Sequence, residues 1–345
     1  MPKDIGFAII GLGAIAPRHV AAIKATPGAR LVAVCGRQER PTAAFAAEHQ
    51  CSTWCTDYRL LLARPDIDAV AIALPHHLHA AVGVEAARAG KHVLMEKPLA
   101  ITVPEANRII QACQQAGVNL SVAYQGRFEP LTRQFHAAVQ SGRLGRLLLA
   151  SLYVKWYRDD AYYRSGAWRG AWQTEGGGAL VTQASHGLDL LLWLAGPASS
   201  VHAQMATLNH AIEVEDAVQA LLTFENGALG LVEATTVAYP GFSVRLELSG
   251  TGGSVVYDHG AGTLHWFLRH PKGEWVDQGE ASDGSRAPLA ISPTSHVPLY
   301  ADFVAAIREG RTPAIDGVEA LRSVELIQAI YRSARTGRRM RLSHA

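Results

Sequence analysis

The first third of the chain alternates short apolar runs with longer amphipathic stretches. Runs that glycine or polar residues stop after four to six positions are typical of strands buried on both faces of a sheet. They predict strands at 5–10, 31–34, 69–74, 92–95 and 120–123, and helices between them at 17–26, 40–49, 78–89 and 104–116. The last helix is preceded by Thr102 and Glu105, which have the spacing of a capping box. Strands that alternate with such helices predict βαβ units and a doubly wound parallel sheet.

The pattern changes near Arg146, where apolar and polar residues begin to alternate with period two. Strands are predicted at 147–156, 201–208, 217–224, 228–236, 244–249, 253–258 and 263–268, and helices at 128–141, 183–195, 298–309 and 318–335. Asn226-Gly227 between two apolar runs predicts a hairpin turn. The last helix is predicted to begin at Asp316, and the stretch 277–296 is predicted to be a mobile loop. The pattern indicates an α/β protein with a first domain at 1–124. A second α/β domain at 125–345 would carry a large, open, mostly antiparallel sheet.

Composition and charge exclude several classes of protein. The 345 residues are 48% apolar and 18% charged, which excludes intrinsic disorder. The formal net charge of +2 is too small for electrostatic binding of nucleic acid or of an anionic membrane. No apolar run approaches the ~20 residues of a membrane span. The N-terminus resembles no signal peptide, so a cytoplasmic protein with a small-molecule substrate is expected.

The four cysteines, Cys35, Cys51, Cys55 and Cys113, are too few for a disulfide scaffold in a chain of this size. Cys51 and Cys55 are four residues apart and could share a metal, but no second Cys/His pair at ligand spacing is near them. Reduced cysteines and no metal site are therefore expected.

The first predicted strand is followed by Gly11-Leu12-Gly13-Ala14-Ile15-Ala16 and then by a helix. This order matches the G-x-G-x-x-G/A pattern of dinucleotide-binding turns. Gly11 allows a tight turn, Gly13 lets the backbone approach a pyrophosphate, and Ala16 permits close packing of the helix on the strand. With Ala14 and Ile15 between them, these residues predict a nucleotide site at the helix N-terminus.

The end of the second strand favours NADP(H), although NAD(H) stays open. An acidic residue about 20 positions beyond the turn would bind the ribose 2′-hydroxyl of NAD, but Gly36 and Arg37 stand there. Arg37, with Arg40 one helical turn further on, can pair with a 2′-phosphate. The alternative is that both are ordinary surface arginines and that the enzyme accepts both cofactors.

The fourth strand ends in Glu96-Lys97-Pro98, at the edge where open α/β sheets bind their ligands. A lysine there can donate to a substrate hydroxyl and stabilise the developing alkoxide. The alternative is a surface ion pair between Glu96 and Lys97.

Together these motifs resemble the Gfo/Idh/MocA oxidoreductases, which include glucose–fructose oxidoreductase and inositol dehydrogenase. The resemblance covers nearly the whole chain. It rests on 11–16, on Leu74-Pro75-His76-His77-Leu78-His79, on Gly90 to Pro98, on Arg127-Phe128 and on the glycine-rich stretch Gly176 to Asp189.

The resemblance implies a Rossmann domain, a substrate domain and hydride transfer between a secondary alcohol and nicotinamide. Carried over, it implies catalysis by Lys97 and His186, with the histidine as base. Many members have Asp four residues before the histidine, where this chain has Thr182, which can orient a hydroxyl but cannot act as a carboxylate. Asp189 is expected to be a structural partner. The residues expected at the cofactor, besides the turn and Gly36, Arg37 and Arg40, are Leu74, Pro75, His79, Glu96, Lys97 and Gln125.

Six aromatic residues between Trp156 and Trp172 are interleaved with arginines. Aromatic faces suit sugar rings and arginines suit hydroxyls, carboxylates or phosphates, so Tyr157, Trp168 and Arg169 are predicted to bind substrate with Lys97, Thr182 and His186. The alternative is a loop that packs over the cofactor or a neighbouring subunit.

The sequence thus predicts an NAD(P)-dependent dehydrogenase of a secondary hydroxyl in a sugar, inositol or nucleotide sugar. A homodimer or homotetramer assembled through the C-terminal sheet is expected. Two alternatives stay open. One is a reductase of a non-sugar carbonyl or dihydrodiol, and the other is a catalytically silent, NAD(P)-binding regulator of the same fold.

Overall fold

The computed structural model describes residues 3–269, 275–277 and 295–342. They divide into two units, one of residues 1–125 with 292–321 and one of residues 126–291 with 322–345. The sequence pattern predicts a single change of domain at residue 125, whereas the structure groups a C-terminal segment with the first unit. Residues 278–294 of the predicted mobile loop lie outside the described residues.

The first unit contains a parallel sheet. Its strands are β1 Ile5–Ile10, β2 Ala29–Cys35, β3 Trp54–Cys55, β4 Ala69–Ile72, β5 His92–Met95 and β6 Leu120–Val122. Its first helices are α1 Ala16–Ala25, α2 Glu39–Glu48, α3 Tyr58–Leu62, α4 His79–Arg88 and α5 Val103–Ala116. Among the described residues the strand order is β3-β2-β1-β4-β5-β6, the doubly wound order of dinucleotide-binding domains. The predicted capping box is present, because the Thr102 hydroxyl accepts from the Glu105 N–H and the Glu105 carboxylate accepts from the Thr102 N–H.

The second unit combines helices with a larger set of strands. Its helices are α6 Pro130–Gln140, α7 Asp160–Arg164, α8 Trp172–Glu175 and α9 Ser185–Ala195, with a π-helical segment, Ala179–Gln183, before α9. Its strands are β7 Leu147–Lys155, β8 Ala198–Ala206, β9 Ala217–Phe224, β10 Leu229–Thr235, β11 Arg245–Gly250, β12 Gly253–Asp258, β13 Thr263–Leu268 and β14 Trp275–Asp277. The chain ends with α10 Val297–Glu309, α11 Gly317–Thr336 and β15 Met340–Arg341.

The second sheet is open and mostly antiparallel, as predicted. In the described residues its order is β14-β13-β12-β11-β7-β10-β9-β8-β15, and only the β7–β10 pair is parallel. The Asn226-Gly227 turn joins β9 to β10 as an antiparallel hairpin, which confirms that prediction. On β9, Val218, Ala220, Leu222 and Phe224 are buried in the core that α6 and α9 contribute to, and the intervening residues are more exposed.

Aromatic packing places α10 on the first unit. The ring centroids of Tyr300 and Phe303 lie 5.3 and 6.3 Å from that of Phe7 on β1. This long-range contact is the physical reason that the C-terminal segment departs from the predicted domain division. None of the helices in the described ranges combines the length and apolar character needed to cross a membrane.

Candidate active site

The turn after β1 has the geometry of a phosphate cradle. Gly11 has a φ of +101°, and a Cβ there would lie 2.3 Å from the carbonyl oxygen of Ala73, so only glycine fits. Gly13 is exposed, and no described atom lies within 4 Å of the position that its Cβ would take. Beyond Ala14 and Ile15, α1 begins at Ala16, which is fully buried. Open backbone at a helix N-terminus fits a dinucleotide pyrophosphate.

The position directly after β2 has room only for a small residue, and the residues that follow it are exposed. A Cβ on Gly36 would lie 2.4 Å from the Thr42 hydroxyl oxygen. Arg37 and Arg40 are both exposed, and within the described parts of the chain neither forms an ion pair. Their guanidinium groups are therefore accessible to a ligand that binds beside Gly36.

His79 connects two loops at the same edge of the sheet. Its ring is inaccessible to solvent, and its Nδ1 and Nε2 lie 2.8 and 2.9 Å from the carbonyl oxygens of Pro98 and Leu74. Burial lowers the pKa of His79, although the two carbonyl oxygens oppose that effect. His79 thus ties the half-buried Leu74 and Pro75, after β4, to the loop after β5.

Lys97 stands at the carboxyl end of β5, half-buried, before a cis peptide bond to Pro98. Its backbone N–H donates to Oε2 of Glu96 at 3.1 Å. Because β4 alone separates β1 from β5 in this parallel sheet, Lys97 and Gly11 follow strands that end at one edge. Glu96 is buried, so its carboxylate does not lie on the open surface.

Two buried histidines face Glu96. Nε2 of His19 lies 3.1 Å and Nε2 of His296 lies 3.7 Å from Oε1 of Glu96, and Nδ1 of His19 contacts the Tyr300 hydroxyl at 2.9 Å. Burial by itself would raise the pKa of Glu96, but the two imidazoles hold that pKa well below its usual value. Within the described ranges these three are the group of ligating side chains close enough to share a metal. His19 already contacts the carboxylate oxygen of Glu96. The two histidines therefore favour the ionised form of Glu96, the residue next to Lys97 in sequence.

Gln125 follows β6 and is buried. Its Oε1 has no hydrogen-bond partner among the described residues. A buried amide oxygen without a donor is costly, so this atom fits a donor that a bound ligand supplies.

In the second unit, Thr182 lies in the π-helical segment and His186 in the first turn of α9, both half-buried. π-helical turns are rare and often mark functional sites. Buried Glu215 fixes the start of this segment by accepting from the N–H groups of Gly178 and Leu180 at 2.9 and 3.0 Å. A Cβ on Gly178 would lie 1.9 Å from the Glu215 carbonyl oxygen, so this approach requires glycine.

A second buried carboxylate, Glu175, contacts the same segment. The Thr182 hydroxyl donates to its Oε1 at 2.7 Å, and the Gly170 N–H donates to its Oε2 at 2.5 Å. Nη1 of Arg169 lies 4.0 Å from Oε1. No sequence pattern predicted a role for Glu175, although its place directly before Gly176-Gly177-Gly178 was a usable signal.

In the arginine–aromatic cluster, residues 156–172, some arginines stack on aromatic rings of the same stretch. The Arg169 guanidinium lies 4.2 Å from the ring centroid of Tyr162 and 4.5 Å from that of Trp168. Arg158 is buried beside Tyr162 at 5.3 Å, and burial lowers the pKa of this arginine. Tyr157, by contrast, helps line a polar cavity of about 300 Å³ in the second unit.

The predicted catalytic residues are thus divided between the units, with Lys97 in the first and Thr182 and His186 in the second. Asp189 has the structural partner that was expected, since Arg127 donates two hydrogen bonds to its carboxylate. The network of His19, His296 and Tyr300 was missed, because no local pattern connects residues so far apart in the sequence.

A doubly wound sheet with this glycine turn, followed by a large open sheet, defines a nicotinamide-dependent oxidoreductase. The chain belongs to the GFO/IDH/MocA oxidoreductase family. The model for the oxidoreductase family with an NAD-binding Rossmann fold matches residues 5–124, and that for the GFO/IDH/MocA C-terminal domain matches residues 132–256.

Individual relatives span almost the whole chain. The chain is 30% identical to 1,5-anhydro-D-fructose reductase of Ensifer adhaerens, over 95% of this chain and 96% of that one. It is 28% identical to scyllo-inositol 2-dehydrogenase (NAD(+)) of Bacillus subtilis, over 98% and 96%. It also resembles the crystal structure of the WlbA dehydrogenase from Bordetella pertussis in complex with NADH and UDP-GlcNAcA. That likeness has a TM-score of 0.85 and 32% identity, and it covers 99% of both chains.

Proposed function

We propose that this protein transfers hydride between nicotinamide and a secondary hydroxyl or keto group of a sugar, inositol or nucleotide sugar. The observation that carries the proposal is the place of Lys97. It follows β5 at the sheet edge where the Gly11–Ala16 turn has the geometry of a phosphate cradle. A cation at the ligand edge of a dinucleotide-binding sheet suits a substrate oxygen that becomes an alkoxide.

Bound nicotinamide supplies the hydride acceptor or donor. Lys97 donates a hydrogen bond to the reacting oxygen and stabilises its negative charge. The ionised Glu96, held by His19 and His296, lies next to Lys97 in sequence and accepts from its backbone N–H. His186 takes the hydroxyl proton during oxidation and returns it during reduction, because an imidazole exchanges protons near neutral pH. Thr182 orients the substrate.

The substrate contacts come from Tyr157, Trp168 and Arg169, with Lys97, Thr182 and His186. Each is half-buried, so it packs on neighbouring residues and is still partly accessible to a ligand. The relatives support a polyhydroxylated substrate, since their names specify an inositol, an anhydro sugar and a complex with UDP-GlcNAcA.

For the cofactor we propose a preference for NADP(H) over NAD(H). The support is the absence of a carboxylate at Gly36 together with the exposed guanidinium groups of Arg37 and Arg40. The rest of the cofactor site would be Gly11 to Ala16, Leu74, Pro75, the loop held by His79, Glu96, Lys97 and the buried Oε1 of Gln125.

We also propose a cytoplasmic homodimer or homotetramer assembled through the second sheet. Its exposed face carries Leu149, Leu221 and Leu229, each more than half exposed and placed on adjacent strands. Apolar side chains grouped in this way favour contact with another protein surface. The four cysteines are unpaired thiols, which supports a reducing compartment.

The test is turnover of UDP-GlcNAcA or scyllo-inositol with NADP+ or NAD+, and of 1,5-anhydro-D-fructose with NADPH or NADH, followed at 340 nm. The wild type is expected to turn over at least one of them. Lys97→Ala is expected to lower kcat by about a hundredfold or more while cofactor affinity changes less than threefold, because Lys97 acts mainly on the transition state. Lys24→Ala, an exposed lysine of the same unit, is the matched control. Tight cofactor binding with no turnover would instead favour the silent regulator.

A further inference from the structure

Glu175 is a buried carboxylate outside the residues assigned above to catalysis. It ends α8 and is only 1% exposed. An ionised carboxylate is stable in such a place only when donors surround it, and here the donors include the Gly170 N–H and the Thr182 hydroxyl, with Arg169 nearby. The carboxylate is therefore the acceptor in each of these contacts.

This arrangement decides the hydrogen-bonding character of Thr182. A threonine hydroxyl has one proton and two lone pairs, and normally rotates to donate or accept as its partner requires. In this structure the proton is directed to Oε1 of Glu175. With its proton used in this bond, the oxygen of Thr182 can act towards a further group only as an acceptor, not as a donor.

We infer that Glu175 is a positioning residue that fixes Thr182 as a hydrogen-bond acceptor for a hydroxyl donor of the substrate. The inference rests on the proposed function, in which Thr182 orients the sugar. It assigns the ligand chemistry at this position: a ring hydroxyl that donates, not a ketone or ether oxygen. His186 keeps the role of base, and no proton moves from substrate to Glu175.

The same geometry accounts for the threonine that replaces the usual aspartate. An aspartate at position 182 would present an acceptor by itself. Thr182 presents one because Glu175 lies beneath it, so the acceptor function is kept while the negative charge stays buried and away from the substrate.

Glu175→Gln is an informative variant because the amide has one acceptor and one donor end. The Gly170 N–H needs an acceptor, so the amide oxygen would face Gly170 and the NH₂ group would face Thr182. Thr182 would then accept from the introduced amide and direct its own proton towards the substrate, which reverses its polarity. The side chain keeps its size, and the change affects substrate binding through Thr182.

The experiment is a double-mutant cycle on the three substrates named above. Thr182→Val and Glu175→Gln are each expected to lower kcat/KM by roughly tenfold to a hundredfold, mainly by raising KM, because a substrate hydroxyl loses its acceptor. Thr182→Ser, which keeps the hydroxyl, should stay within about threefold of the wild type. The double variant should lose no more than Thr182→Val alone, since Glu175 acts only through Thr182.

The inference is overturned if kcat/KM is unchanged in Glu175→Gln. It is also overturned if the losses of the two single variants multiply in the double variant, because a purely structural carboxylate would lower kcat/KM by the same factor with or without the Thr182 hydroxyl. Thermal unfolding of each variant checks the fold. If Glu175→Gln does not fold, Glu175→Asp, which keeps the charge but withdraws it from Thr182, replaces it in the cycle. A wild type inactive on all three substrates refutes the proposed function and this inference with it. An active wild type with multiplying losses refutes the inference alone.

Discussion

Arg127 and Asp189 form a buried two-point ion pair in the second unit. Nε of Arg127 donates to Oδ2 at 2.8 Å and Nη2 donates to Oδ1 at 2.6 Å, and the side chains are 6% and 1% exposed. The pair connects the segment before α6 to α9, the helix that carries His186. Asp189 therefore stabilises the helix on which the proposed base lies.

Removing one partner of this ion pair should lower the free energy of unfolding more than removing both partners. Arg127→Met leaves the Asp189 charge buried without its guanidinium, and we expect the free energy of unfolding to fall by about 3–5 kcal/mol. Arg127→Met combined with Asp189→Leu should recover most of that loss. Urea unfolding of the three proteins measures the difference. A double variant no more stable than the single one would contradict this account.

At the same scale, the sequence suggests residue roles but not residue partnerships. Local motifs predict the roles of Lys97 and His186, which stay predictions, and Asp189 has the structural partner that was expected. The contact between Thr182 and Glu175 does not follow from such motifs, because a hydroxyl–carboxylate pair seven residues apart leaves no periodic signal. Histidines at 19 and 296 likewise meet Glu96 only in the folded chain.

Among the elements, the π-helical segment Ala179–Gln183 is held at both ends by carboxylates. Glu215 binds its N-terminal N–H groups and Glu175 binds Thr182 near its C-terminal end. The hydroxyl of Tyr331, on α11, also donates to Oε1 of Glu215 at 2.9 Å. The segment thus depends on long-range contacts for a conformation that its own sequence does not favour.

Glu215 should make the stability of the second unit depend on pH. Burial raises the pKa of Glu215 to about 7, although hydrogen bonds from Leu180, Gly178 and Tyr331 oppose this. An unfolded glutamate titrates near 4.3, so between about pH 4.5 and 7 the folded state binds the extra proton. The contribution of this proton to the free energy of unfolding is therefore complete below about pH 4.5 and is lost as the pH rises through 7.

The measurement is urea unfolding of the wild type and of Glu215→Gln at pH 5 and pH 8. Between these pH values the stability of the wild type relative to the variant should fall by on the order of 2–3 kcal/mol, at roughly 1.4 kcal/mol for each unit of pKa shift. The variant cannot titrate at this position and serves as the control. An equal difference at both pH values would show that Glu215 is ionised throughout.

Element prediction succeeded where periodicity extended over several residues. The long strands and helices of both sheets lie close to their predicted places, and the second sheet is antiparallel apart from β7–β10. The missed strands β3, β14 and β15 and the missed helices α3, α7 and α8 have two to five residues each. So few residues cannot show a helical or strand period, and contacts with neighbouring elements fix their conformation.

For the whole molecule, binding of cofactor to the folded state should raise the stability of the chain. A ligand at a hundred times its Kd adds about 2.7 kcal/mol. With the proposed preference, NADPH should raise Tm by several degrees more than NADH at equal concentration. Arg37→Ala should remove most of that difference, and Arg88→Ala, an exposed arginine on α4, should leave it unchanged. Thermal unfolding with each nucleotide measures these Tm shifts. Equal Tm shifts with NADPH and NADH in the wild type would contradict an interaction between Arg37 and the 2′-phosphate.

The net charge of +2 describes none of these local sites. It averages an exposed arginine pair beside Gly36, an anionic network beside Lys97 and an arginine–aromatic cluster in the second unit. The sequence by itself determined the fold class, the dinucleotide turn and the family, because these depend on periodicity and on residues adjacent along the chain. Only the tertiary structure decided that α10 packs on the first unit, that two histidines face Glu96 and that Glu175 accepts a hydrogen bond from the Thr182 hydroxyl. These contacts join side chains that burial and packing bring together, and a linear pattern contains no record of such distances.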